Sequence, residues 1–214
     1  MMSIGHEIEL TNRLMLLWLI NDASKRRSVG VTKVHKLTYL SQYEMIKQQE
    51  KGFSYEFIKL PMGPFSDGVK NDINWLKIYD LVTYHRNLNN KYFKLSKFGL
   101  KILSDFQEIF TRNEAFTKKI SDINHNYAGY TAQHLVDIVH KQPNPCCPSI
   151  TIDDTAQQEP ILKPLTGNAK QEFVITPEEA ETLEIYLDAE SYESAIEACK
   201  SAQTKHLLSL HEVF

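Results

Sequence analysis

Leu10, Leu14, Leu17 and Trp18 recur at helical spacing, and the next position on their stripe is the polar Asn21. The pattern predicts a first helix from about Glu7 to Ala23. A polar, glycine-ended break follows over 24–30. Thr32 then stands as a cap before Val34, Leu37, Leu40 and Tyr43, which trace a second amphipathic helix to about Gln48. Phe53, Tyr55, Phe57 and Leu60 sit among polar residues in near alternation, as in a short strand or extended segment. Pro61-Met62-Gly63-Pro64 is a turn. Ser66 follows as a helix cap with Asp67 at the positive end of the helix dipole, and Val69, Ile73 and Leu76 form the apolar stripe of a third helix ending near Asp80.

Two β-rich runs, 81–86 and 91–95, flank the asparagine-rich segment 87–90 and predict a hairpin, since asparagine tolerates the left-handed backbone that tight turns need. Ser96 then caps a fourth helix through Ile102, Leu103, Phe106 and Phe110. Helix, helix, helix, hairpin, helix is the order of a winged helix. The expected fold class is therefore mainly α (α+β): a winged helix-turn-helix with a small β-hairpin wing, followed by additional helices. Those helices are read over 113–123 and from a Thr131 cap through Leu135, Ile138 and Val139. Pro143, Pro145 and Pro148 close the last of them. Residues 1–145 form the expected first domain. Residues 146–172, rich in Pro, Gln, Asp, Thr and Gly, are read as a linker or mobile loop. Residues 173–214 are read as an acidic helical segment, opened by Thr176-Pro177-Glu178-Glu179.

Charge changes this picture more than composition does. The net charge of −3 hides a balance of +7 up to Leu103 and −10 from Ser104 onward. Between Gln171 and Glu197 lie nine acidic residues and no basic one. A basic front suits a polyanion and an acidic back suits a basic partner, although two merely solvated surfaces account for the same numbers. No apolar run approaches the roughly 20 residues of a membrane span. The opening carries Glu7 and Glu9 rather than positive charge, so a cytoplasmic address without membrane association is expected. Three cysteines, two of them neighbours at Cys146 and Cys147, do not make a disulfide framework.

The candidate nucleic-acid residues follow from the third helix and the hairpin. Opposite the apolar stripe lie Lys70, Asn71, Asn74 and Lys77, behind the Ser66 cap. Asparagine pairs with adenine edges, and lysine meets phosphate or guanine. The wing adds His85, Arg86, Asn90, Lys91 and Lys94. A solvated helix face and a lysine-protected edge hairpin explain the same residues, and Asp67, Asp72 and Asp80 oppose a phosphate. Glu178, Glu179, Leu183, Tyr186, Leu187 and Tyr192 are the candidate partner-binding residues of the acidic segment. His125, His134, His140, Cys146 and Cys147 match no metal-ligand spacing, and neither a phosphate-binding glycine loop nor a nucleophile elbow is present. No cofactor, no metal and no enzymatic activity are expected.

Lys33-Val34-His35-Lys36-Leu37-Thr38-Tyr39-Leu40 resembles the Lys-x-x-Lys-Leu-x-Tyr-Leu helix of the Panacea-type (SocA-like) antitoxins. Residues 57–60, followed by Met62-Gly63-Pro64-Phe65-Ser66, are similar to that family's glycine-proline turn before a helix, with Met62 where an aromatic is commoner. Residues 76–82 resemble its leucine-rich close, and 135–140 with Pro143 its late helix. The resemblance covers roughly residues 5–145. It implies a toxin neutraliser, an antitoxin-like regulatory protein that acts by direct binding of a partner toxin; DNA binding is the accompanying expectation from the third helix and the hairpin. The acidic segment is the toxin-contacting part in that reading, because toxins that attack nucleic acid are often basic. A winged-helix transcriptional regulator without a toxin partner is the alternative, and either is compatible with a homodimer.

Overall fold

The computed structural model describes residues 4–87 and 90–188, and the chain divides into two units, 1–174 and 175–214. The architecture is mixed α/β. In the first unit, α1 (Ile4–Ser24) and α2 (Val31–Lys47) supply much of the interior. Leu10, Leu14, Met15, Leu16, Leu17, Leu19 and Ile20 are all buried, so α1 is enclosed on more than one face. On α2 burial is continuous from Lys33 to Gln42, charged residues included.

The start of α2 differs from expectation. Its cap is Gly30, not Thr32, and the helix begins at Val31. A Cβ at Gly30 would lie 2.7 Å from the Lys91 carbonyl oxygen. The close approach of another strand, invisible to local periodicity, sets this boundary.

After β1 (Glu50–Lys51), the alternation read over 53–60 resolves into an irregular stretch and then β2 (Phe57–Leu60), which turns at Gly63 (φ 81°) into β3 (Gly63–Phe65). The third helix, α3 (Asp67–Ile78), is capped by Ser66, whose hydroxyl accepts from the Val69 N–H. It ends in a Schellman turn. Asp80 takes the left-handed conformation (φ 51°), its N–H bonds to Lys77 O, and the Leu81 N–H bonds to Leu76 O at 2.8 Å. Leu76 and Leu81 are both buried.

That turn launches the hairpin of β4 (Val82–Asn87) and β5 (Asn90–Leu95), paired in antiparallel register from Val82↔Leu95 to Asn87↔Asn90. A bridge between Val29 and Phe93 ties the ribbon to the loop before α2. Leu37, Leu40, Val69, Ile73 and Leu76 are all buried, the shared interior that the periodicity predicts.

The predicted fourth helix is two: α4 (Lys97–Asp105), capped by Ser96, and α5 (Gln107–Arg112), separated at the buried Phe106. α6 (Glu114–Tyr127) and α7 (Ala132–His140), the latter capped by Thr131, follow.

Residues 146–172 are not a bare linker. After β6 (Pro143–Asn144) they carry β7 (Cys147–Thr151), β8 (Pro160–Leu162) and β9 (Gln171–Glu172). β8 pairs with β2 and β9 pairs in parallel with β1. Ile152, Ile161 and Leu162 are buried. β7 pairs locally with β6, whereas β8 and β9 were hidden because their partners lie about a hundred positions away and their apolar residues are spread over many polar ones. In the second unit, α8 (Pro177–Leu187) opens with a full capping box. Thr176 accepts from the Glu179 N–H, and the Glu179 carboxylate accepts from the Thr176 N–H at 2.8 Å. Among the described residues no helix is long and apolar enough to cross a membrane.

Candidate nucleic-acid interface

The outer face of α3 is positioned by what its inner face buries. Val69, Asp72, Ile73 and Leu76 point inward. Asp72 is the unexpected member. Its carboxylate accepts from the Tyr55 hydroxyl at 2.8 Å and from Arg13 Nε at 3.0 Å. Burial raises its pKa, against the opposing pull of those two donors. The same Arg13 guanidinium lies 4.4 Å from the Trp75 ring centroid. Asp72, counted as a charge opposing phosphate, is therefore turned away and paired, whereas Asp67 and Asp80 are exposed.

Lys70, Asn71, Asn74 and Lys77 are exposed together on α3. Ser66 is not available beside them. Its residue is buried, its hydroxyl accepts from Val69, and its N–H donates to His35 Nδ1 at 3.3 Å. Its role is to cap the helix. Lys77 Nζ reaches within 5.9 Å of the Tyr84 ring, which joins the helix face to the hairpin.

The hairpin has two faces because side chains alternate. One carries Val82 with Leu95, Tyr84 with Phe93, and then Arg86 with Lys91, passing from apolar at the base to basic toward the tip. The other carries Thr83 with Lys94 and His85 with Tyr92, whose rings stack at 5.6 Å. Arg86 and Lys91 are exposed and directly opposite, an arrangement that costs stability in an isolated ribbon. The Asn90 side chain and Tyr192 lie outside what the structure describes. The C-terminal end of the α3 face is apolar: Ile78 is 79% exposed, next to an exposed Tyr79 that stacks on Trp75 at 4.2 Å.

In the second unit, Glu178 is exposed, Tyr186 and Glu179 are half-buried, and Leu183 and Leu187 are buried. Of the candidate partner residues that are described, only the acids and Tyr186 present surface. Among the described residues no group of three or more His, Cys, Asp or Glu could hold a metal ion. His140 Nδ1 lies 2.9 Å from Asp153, and Cys146 and Cys147 are exposed.

Sequence reasoning missed the buried cations of α2. Lys33 Nζ donates to the carbonyls of Ala128, at the end of α6, and Ser28 (2.5 and 3.2 Å). Lys36 Nζ donates to the Pro64 carbonyl at 2.7 Å. The first satisfies a helix C-terminus and the second clamps the turn that precedes α3. The available signal was that both lysines fall among the apolar positions of their helix. Burial lowers the Lys36 pKa to about 7, helped by the charge of Lys59, and lowers His35 to about 4.

No family model matches the chain, and neither a curated protein nor a solved structure matches it.

Proposed function

We propose that this chain is an antitoxin-like regulatory protein that works by binding, with the α3–hairpin face as a winged-helix grip on duplex DNA and the acidic C-terminal segment as the holder of a partner toxin. The observation that carries the DNA reading is a basic helix face, with Lys70, Asn74 and Lys77 exposed, joined through the Lys77–Tyr84 contact to a hairpin that carries the like-charged Arg86–Lys91 pair. A ribbon that places two cations opposite one another bears a cost in isolation that an anionic partner relieves. The exposed Ile78 and Tyr79 favour a protein partner in addition, since apolar surface at a helix end gains more against protein than against phosphate. A regulator acting on DNA alone is the alternative.

The test is fluorescence anisotropy on duplex DNA over a salt series. Lys70→Ala and Lys77→Ala should each lower the slope of log affinity against log salt by about 1. Arg86→Glu should abolish binding while leaving the hairpin more stable by a few tenths of a kcal/mol, through the opposite-charge pair it forms with Lys91. Salt-independent binding, or no binding by the unaltered chain, ends the DNA reading. Co-purification with the product of a neighbouring gene should be lost when residues 175–214 are deleted, and its survival ends the assignment of the toxin to that segment.

A further inference from the structure

A cavity of about 370 Å³ lies where the break before α2, the hairpin and the break before α7 meet. That is within the size range of small-molecule sites. Arg27, Lys33 and Lys91 line it, one from each side of α2's start and one from the hairpin, and among the described residues none of those lining it is acidic. Lys33 is only 4% exposed, and the two acceptors of its ammonium group are neutral carbonyls. A buried charge is normally matched by an opposite one. Arg27 is held by its bond to the Gly129 carbonyl at 3.1 Å, so it is oriented rather than free.

The backbone adds to this charge. Gly30 gives α2 no side chain to cap the N–H groups of its first turn, and α7 opens onto the same cavity at Thr131 and Ala132. Two helix dipoles therefore present their positive ends where three cations already converge. Two tyrosines line the same space, Tyr84 at 45% and Tyr130 at 41% exposure, and so offer ring surface beside the charge.

We propose that this cavity binds a phosphate group, borne by a small molecule with a planar ring to lie against Tyr84 or Tyr130. The site lies beside the outer face of α3 and the proposal does not rest on the DNA reading, although Lys91 and Tyr84 belong to both regions. The same phosphate chemistry is also offered by a duplex backbone, so the experiment distinguishes the two sources.

Isothermal titration of the full chain with inorganic phosphate, AMP and a DNA duplex tests it. AMP should bind saturably and at least about fivefold more tightly than inorganic phosphate, the low end of what ring stacking on tyrosine supplies. Arg27→Ala and Lys91→Ala should each weaken AMP about tenfold, as for one lost charge-assisted hydrogen bond. Lys33→Met also removes the cap of α6, so the decisive variant is Thr32→Glu. It sets a carboxylate in the cavity at the second helical position, where the dipole tolerates acid, and it should lose AMP binding at an unchanged or raised Tm. If AMP and phosphate do not bind but Thr32→Glu weakens the duplex, the site stands with the DNA backbone as its source. If Thr32→Glu leaves AMP affinity intact, or if neither free ligand binds and duplex affinity is also unmoved, the proposal is overturned. Weakened duplex binding in Lys70→Ala with AMP affinity retained separates the two sites, and a chain that binds AMP but no duplex sinks only the DNA reading.

Discussion

His35 shows how much one buried side chain links. Its Nδ1 accepts the Ser66 N–H at the cap of α3, its ring stacks on Phe65 at 4.8 Å, and it is 2% exposed. Burial, then the charges of Lys36 and Lys70, lower its pKa from 6.5 to about 4. Between those values the unfolded chain takes a proton that the folded histidine refuses, so stability rises with pH across that window and is lost as pH falls through it. The contribution is on the order of 2–3 kcal/mol. Urea unfolding at pH 4.5, 5.5 and 7 should show this rise. His35→Asn, which keeps an acceptor for Ser66, should flatten it by that amount. Equal slopes in both proteins would exclude His35 as the cause.

At the scale of elements, the joint between α3 and β4 fixes where the hairpin lies beside the helix. Its hydrogen bonds are those of a glycine-type helix end, yet the left-handed position is held by Asp80. Its carbonyl also accepts from the Ser96 hydroxyl, so the same residue joins the ends of α3 and the hairpin to the start of α4. Relief of the left-handed strain predicts that Asp80→Gly raises stability by about 0.5–1 kcal/mol, less the entropy that glycine gains in the unfolded chain. Thermal denaturation reads this directly, and a lower Tm would show that the aspartate side chain has its own stabilising contact. The helix stripes, the Ser66, Ser96 and Thr131 caps and the pairing of the two hairpin strands were legible in the sequence, because each depends on close neighbours along the chain. The split at Phe106 and the cap at Gly30 were not, because side-chain burial and the Lys91 backbone impose them from outside the element.

At the scale of the whole molecule, the charge division along the chain acquires a structural counterpart. The unit 1–174 holds the basic α3–hairpin face, and the unit 175–214 holds a large share of the acidic residues. β8 and β9 close the first unit by pairing with β2 and β1, so a cut before them removes part of its sheet structure. A fragment ending at Val174 should therefore melt cooperatively, whereas one ending at Pro145 should not. Circular dichroism melts of the two fragments check this, and equal stability would mean that β8 and β9 contribute little.

Among the described residues, the amino-acid pattern alone determined where most helices start and which residues of α3 face outward, because periodicity and capping are short-range physics. Tertiary structure alone decided the rest. It buried Lys33 and Lys36 against carbonyls, turned Asp72 toward Arg13 and Tyr55, recruited 146–172 into sheets, and gathered Arg27, Lys33 and Lys91 around one cavity. A lysine's residue type specifies its charge, but what faces that charge depends on chain segments tens to a hundred residues away. Only the folded packing brings those segments together.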